Sequence, residues 1–330
     1  MDQPVDRPRV SGAKFRRQYD RTRQMLERAE APTPGLLNSL NYVLPLSFDT
    51  RPVRRRAAGL FGREERQLDL YTLNLAREYR RSRARKVAIC CMPKSGSTYL
   101  LTSLERIKAL GLSLVYLYTP YMNPDFVEAL PCEQEIDEIA VLVHELVGRP
   151  YIAHMHIKCS GYTERMLLSR NIQPIVVYRN IFDCIVSLDD MIMRGELADF
   201  PMVRLPARYR SASPADRLSF LCHQAGPWYI DFVVSWRRCR INRLELSYAE
   251  DVENVSQATV KKILSYLGAD VPLQEAWTAF SLRDEEDRRR RARFNVGKTG
   301  RGQAIPYEAR RSLHANAEMH ADEIDFSGLL

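Results

Sequence analysis

The 330-residue chain predicts a three-layer α/β fold, with a central, mostly parallel sheet flanked by helices. Two observations lead there. From Lys86 onward, short apolar runs alternate with amphipathic helical patterns, the texture of a parallel sheet covered on both faces. Twice in that region, at 86–107 and at 174–187, an apolar run ends in a polar segment that opens a helix. The length exceeds the usual size of a domain, yet α/β folds often reach it as one unit. The hydrophobic fraction of 45% supports a sizeable core.

Residues 1–85 are polar and basic, with helical patterns from Phe15 to Leu26 and from Arg66 to Arg80. Pro32, Pro34, Pro45 and Pro52 mark an irregular stretch between them. This region reads as an N-terminal helical arm packed on the core, and 86–330 as one globular domain. Strands are predicted at 87–92, 113–118, 151–157, 174–178 and 242–247. Helices are predicted at 98–110, 133–147, 162–170, 181–194, 215–239 and 255–267. In such sheets ligands bind beyond the carboxyl ends of the strands.

No apolar run approaches the roughly 20 residues needed to span a bilayer. The N-terminus carries Asp2, Asp6 and arginines without the apolar stretch of a secretory signal. The seven cysteines lack paired metal spacing and read as free thiols, those at Cys90 and Cys91 buried, in a reducing cytoplasm. The net charge of +8 comes largely from local arginine runs, at 51–56, 80–86 and 288–291. These runs carry no interleaved aromatics and no DNA-reading motif. An anionic small ligand explains the charge more simply than nucleic acid does.

The first polar turn is Pro93-Lys-Ser-Gly-Ser-Thr98, between the run Val87–Met92 and a helix with Leu100, Leu101, Leu104 and Ile107 on one side. The first N–H groups of a helix lack intrahelical partners, and the helix dipole favours an anion there. Lys94 adds a charge, and Ser95, Ser97 and Thr98 add hydroxyls. The triphosphate loop has its lysine directly after the last glycine of Gly-x-x-x-x-Gly-Lys. Here Lys94 precedes Gly96, and no second glycine lies upstream. At the second site, the strand Ile175–Tyr178 delivers Arg179 and Asn180, and a helix follows with Asp183 in its first turn and Ser187 beyond. Arg179 can hold a phosphate in a bidentate fork, and Asp183 complements the helix dipole. Two such sites in one sheet imply a ligand with two separated anionic groups.

Together, Pro93-Lys-Ser-Gly-Ser-Thr-Tyr99 and Tyr178-Arg-Asn-Ile-Phe-Asp-Cys-Ile-Val-Ser187 resemble the two cofactor signatures of the sulfotransferases that use 3′-phosphoadenosine 5′-phosphosulfate. The resemblance covers about residues 86–302 and implies a P-loop nucleotide-kinase-like sulfotransferase fold. It implies that Lys94, Ser95, Gly96, Ser97 and Thr98 hold the 5′ end of the nucleotide. Arg179 and Ser187 would hold the 3′-phosphate, and Tyr99 would stand where many members stack a tryptophan on adenine. Leu246-Ser-Tyr-Ala-Glu-Asp251 resembles the family's tyrosine-plus-acid strand end, with Tyr248 near the adenine. Phe294-Asn-Val-Gly-Lys-Thr-Gly-Arg301 resembles its late glycine loop, which adds Val296, Gly297, Lys298 and Arg301 to the nucleotide site. Family loops commonly open with Arg-Lys-Gly. Here Asn295 and Val296 precede Gly297, so the positive charge must come from Arg293, Lys298 or Arg301. The second signature has Ile181 where the family has proline.

Sulfuryl transfer needs in-line positioning, a cation at the leaving oxygen and a base for the acceptor hydroxyl. Lys94 suits the leaving oxygen. Of six histidines, His154 and His156 alternate on one strand, sharing a face with Lys158. The family's base lies at the end of the strand before the second signature. This makes His156 the first choice, with His154 one pleat deeper as its support or its alternative. Asp189, Asp190 and Glu105 are carboxylate alternatives. No third ligand appears at metal spacing near the histidines, and no metal is expected. The resulting expectation is a sulfotransferase acting on a hydroxyl of a small-molecule, lipid or carbohydrate acceptor. Its competitors are a P-loop nucleotide-type phosphotransferase and a nucleotide-binding protein without catalysis. The acceptor would be shaped by the arm and by loops at 119–135, with Tyr121, Met122, Phe126 and Pro131, and at 194–214, with Phe200, Met202, Pro206 and Tyr209.

Overall fold

Five strands form one sheet: β1 (Lys86–Cys91), β2 (Ser113–Val115), β3 (Tyr151–Met155), β4 (Gln173–Tyr178) and β5 (Leu244–Ser247). Their spatial order is β2-β3-β1-β4-β5, and every pairing is parallel. The computed structural model describes residues 12–30, 36, 40, 51–62, 64, 84–117, 135–195, 203, 205–281 and 298–330. The predicted helix at 66–80 lies outside them, as do Val296, Gly297, Arg293, all of the expected acceptor loop at 119–135 except Glu135, and residues 196–202 and 204 of the one at 194–214.

These residues belong to two units. The first takes those within 1–84, 116–131 and 135–149. It contains α1 (Gly12–Arg28) and α2 (Arg51–Phe61), which pack on each other. Thr22, Leu26, Ala57 and Ala58 are buried there. The remainder, 85–115, 132–134 and 150–330, forms the second unit and holds the whole sheet.

In the second unit the helices are α3 (Ser97–Arg106), then, after α4 (Glu138–Val147) of the first unit, α5 (Gly161–Arg170), α6 (Ile181–Met193), α7 (Pro214–Arg238), α8 (Gln257–Leu267), α9 (Leu273–Ser281) and α10 (Tyr307–Glu318). Most start where sequence chemistry places a cap. Ser160, Asn180, Ser213 and Ser256 each accept the N–H three residues on, at the starts of α5, α6, α7 and α8. The helix predicted over 98–110 breaks at Ile107, whose extended backbone separates α3 from a 3₁₀ turn over Lys108–Leu110.

Side-chain alternation divides the sheet into two faces. On one face Val87, Ile89, Ile152, Ile175, Val177, Leu244 and Leu246 pack beneath α3, α8 and α9, with Leu104, Ile263 and Phe280 in the same cluster. On the other, Tyr178 meets Phe232 of α7 edge-on, and α7 itself packs on α6 and α10. Both faces of the central strands β1, β3 and β4 are covered, so these are buried almost throughout and read as nearly continuous apolar runs, whereas the edge strand β2 is exposed.

Candidate nucleotide and catalytic site

Each central strand keeps its alternation past its last pleat, and this assembles the site. The face that carries Val87 and Ile89 continues to Cys91. Ile152 is followed by His154 and His156, Ile175 and Val177 by Arg179, and Leu244 and Leu246 by Tyr248. An apolar stripe thus becomes polar at the carboxyl edge of four adjacent strands, the edge at which open α/β sheets bind ligands.

Between β1 and α3 the turn folds tightly. Ser95 donates both its N–H (3.2 Å) and its hydroxyl (2.7 Å) to the Met92 carbonyl. Lys94 takes a left-handed backbone, φ 68°, rare for a residue with a side chain and a form of strain that clusters at functional sites. Gly96 is left-handed too, φ 78°, and a Cβ there would lie 2.8 Å from both Tyr248 and Val252. Gly96→Ala therefore meets strain and overlap together. We expect a loss of about 2 kcal/mol in unfolding free energy, read by urea denaturation. An unchanged midpoint would mean that the turn relaxes without cost.

Lys94 is half-buried, and its ammonium lies 3.3 Å from the Met191 thioether of α6, a weak acceptor that a ligand oxygen would outcompete. The Lys94 carbonyl faces the second site. Arg179, 6% exposed, donates one terminal nitrogen to it at 2.8 Å and the other to the Lys298 carbonyl at 2.9 Å. Its guanidinium also lies over the Tyr248 ring, 3.9 Å from the centroid. Its Nε is buried with no hydrogen-bond partner among the described residues. One side chain thus joins the first turn, the late loop and the tyrosine that follows β5.

Asp183 supplies the other half of this arrangement. It is 1% exposed and accepts the N–H of Gly300 at 3.0 Å and of Gly302 at 2.8 Å. A Cβ on Gly302 would stand 2.4 Å from the Cβ of Phe182, so only glycine lets the loop lie this close to α6. In the sequence Asp183 reads as a dipole partner of its own helix; its partners in space lie more than 100 residues away. Ser187, one turn further along α6 on the same side, is buried. Arg301, one of three cations suited to the late loop, makes an ion pair with Asp190 at 2.7 Å. Tyr99 gives its hydroxyl to the Phe280 carbonyl and sets its ring edge-on to Phe280, so it packs α3 on α9. Thr98 is half-buried beside it.

His154 reaches the turn, and His156 reaches the end of β1 just before it. His154 Nε2 lies 2.8 Å from the Ser97 hydroxyl and 3.4 Å from the Cys91 sulfur. His156 Nδ1 lies 2.9 Å from the Cys91 carbonyl. A carbonyl only accepts, so Nδ1 is the donor, and in the neutral ring Nε2 carries the lone pair. The two rings meet edge to face, 5.3 Å apart. Burial pushes the Cys91 thiol up to about 12, which keeps it neutral near pH 7. Lys158 leaves this face: β3 ends at Met155, and the lysine turns to Asp231 of α7 at 3.8 Å.

The carboxylate alternatives are engaged elsewhere. Asp189 is buried, held by Arg217 at 2.9 and 3.1 Å and by the Tyr209 hydroxyl at 2.7 Å. Asp190 pairs with Arg301, and Glu105 accepts the Leu114 N–H at 3.0 Å. Of the remaining histidines, His144 belongs to the first unit, where burial lowers its pKa to about 4. No helix among the described residues is long and apolar enough to cross a membrane.

No protein-family model and no curated protein matches the chain. Among solved structures it is similar to mouse sulfotransferase SULT7A1 complexed with PAP. The TM-score is 0.51 at 19% identity, covering 71% of this chain and 82% of that one. The five-stranded parallel sheet, its helical layers and this likeness together give the chain a sulfotransferase-like fold.

Proposed function

We propose that the chain is a sulfotransferase that moves the sulfuryl group of 3′-phosphoadenosine 5′-phosphosulfate to an alcohol or phenol. The observation that carries this reading is the Arg179 fork, which joins the Lys94 turn to the late loop and makes one site of two anion cradles. The buried, unpartnered Arg179 Nε fits a bound phosphate, and the PAP in the SULT7A1 structure is consistent with that ligand class. Lys94, Ser95, Gly96, Ser97 and Thr98 would hold the 5′ end. Arg179, Ser187, Lys298 and the backbone around Arg301 would hold the 3′-phosphate, with Tyr248 and Tyr99 on the side toward the adenine.

The donor supplies an activated sulfuryl group on a phosphate leaving group; the chain does the rest. His156 Nε2 takes the acceptor hydroxyl proton while its Nδ1–H stays on the Cys91 carbonyl, which orients the ring. His154 fixes Ser97 at the first turn of α3, where the helix N–H groups converge. The Lys94 ammonium is positioned for the charge that grows on the leaving phosphate. Across the reaction the sulfuryl bond to phosphate breaks, the bond to the acceptor oxygen forms, and one proton is released.

A thermal-shift titration tests the reading. 3′-Phosphoadenosine 5′-phosphate at about 100 times its Kd, without magnesium, should stabilise the protein by about 2.7 kcal/mol, roughly 5 °C in Tm. Adenosine triphosphate should do so poorly. Equal stabilisation by both, or a strict magnesium requirement, favours a phosphotransferase and sinks the proposal. Turnover of labelled donor with a panel of alcohols, phenols and sugars then separates the enzyme from a binding protein and identifies the acceptor.

A further inference from the structure

The sequence offers no third ligand near His154 and His156, because the third lies on another strand. β1 and β3 run in parallel register, with Ile89 opposite His154 and Cys90 opposite Met155, so Cys91 comes beside His156. The Cys91 sulfur is 3.4 Å from His154 Nε2 and 3.4 Å from His156 Nδ1, and the three donor atoms lie within 4.8 Å of one another. A tetrahedral zinc ion with S and N ligands at about 2.3 and 2.0 Å requires an S···N edge of about 3.5 Å. Both sulfur edges already have that length. The two nitrogens lie within 4.8 Å of each other and must close to the edge of about 3.3 Å that a tetrahedral site with nitrogens at about 2.0 Å requires. The two imidazoles are half-buried at the carboxyl edge of the sheet, which leaves an approach for an ion.

We propose that Cys91 Sγ, His154 Nε2 and His156 Nδ1 bind a divalent cation of the zinc class, with a fourth position open to water or an anionic oxygen. One thiolate and two imidazoles are the donor set of a borderline-soft metal, and three protein ligands with one open position are common at exchangeable sites. Binding releases one proton, from the thiol to solvent, as the sulfur–metal bond forms. The Nδ1 proton of His156 moves to Nε2 as its bond to the Cys91 carbonyl breaks, and His154 Nε2 gives up its hydrogen bond with the Ser97 hydroxyl to present its lone pair. Zinc and the acceptor proton therefore compete for the same imidazole, so occupancy switches the site off. That consequence rests on the sulfotransferase reading; the metal site itself does not.

Cobalt(II) titration of the chelator-treated full chain provides the test, since tetrahedral cobalt bound to sulfur shows a thiolate charge-transfer band. We expect that band to saturate at one equivalent and to vanish on adding one equivalent of zinc(II). Cys91→Ser should abolish it, and His154→Ala should weaken cobalt binding at least tenfold. Cys222→Ser, on α7, should keep it. A wild-type chain without the band, or a band that survives Cys91→Ser, overturns the site. Circular dichroism of each variant separates lost ligation from lost folding, and the wild-type titration decides even if Cys91→Ser does not fold. In turnover assays zinc(II) should inhibit and a chelator restore. Full activity at saturating zinc overturns the switch. Failure of the nucleotide titration above would leave the cobalt result untouched, so the two readings fail separately.

Discussion

Replacing His156 by alanine is expected to lower turnover about a thousandfold while the Tm gain from 3′-phosphoadenosine 5′-phosphate stays within a degree. A positioned general base contributes about 10²–10⁴ in rate. The Nδ1 of His156 is held by the Cys91 carbonyl at the end of β1, while it is the neighbouring ring, His154, that bonds Ser97 in the cradle. The effect should therefore fall on kcat. His154→Ala should behave differently. Its Nε2 is bonded to Ser97 in the first turn of α3, so the loss should be about tenfold and shared between donor affinity and rate. If His154→Ala abolishes turnover and His156→Ala spares it, the base moves one pleat deeper. If both retain activity, catalysis would need a carboxylate, and Asp189, Asp190 and Glu105 would have to leave the partners they hold in this structure.

The sequence made the layers legible because both of its periodicities are local. The runs at 87–92 and 174–178 become β1 and β4 almost to the residue, and the pattern at 215–239 becomes α7. What it could not show is adjacency. Period-two alternation says that His154 and His156 share a face, but only the order β3-β1-β4 puts Cys91 beside them and Arg179 one strand further on. The same limit hides Asp183, whose partners Gly300 and Gly302 lie across α6 from a distant part of the chain. It also hides the pairing of Arg301 with Asp190, since the sequence reads the first as a late-loop cation for the nucleotide and the second as a carboxylate alternative on α6. Helices α2, α9 and α10 went unread: α9 follows a short Pro-containing link, and α2 contains Pro52 within a run of arginines. Tyr99 shows the reverse case. Its place in the motif points to the adenine, yet its hydroxyl holds the Phe280 carbonyl, so packing of α3 on α9 is a role that motif spacing does not reveal.

Arg179→Ala should raise the Kd for 3′-phosphoadenosine 5′-phosphate by about a hundredfold or more and lower unfolding free energy by about 3 kcal/mol. The side chain gives charged hydrogen bonds to the carbonyls of Lys94 and Lys298, each worth about 1.5–3 kcal/mol, and it covers the Tyr248 ring. Removing it leaves both carbonyls without that donor and frees the late loop from the turn. A lost phosphate contact of about 2.7 kcal/mol is a hundredfold in affinity. Arg179→Lys separates charge from shape. Lysine supplies a point charge, but it cannot donate along two fixed directions while keeping a third N–H for a ligand. If the fork matters, Arg179→Lys should recover little of the affinity, and kcat should fall as well, because the Lys94 backbone loses the donor that holds its left-handed turn against the second site. If Arg179→Lys binds the nucleotide like the wild-type chain, the fork is scaffolding alone, and the 3′-phosphate must find its cation among the residues of the late loop.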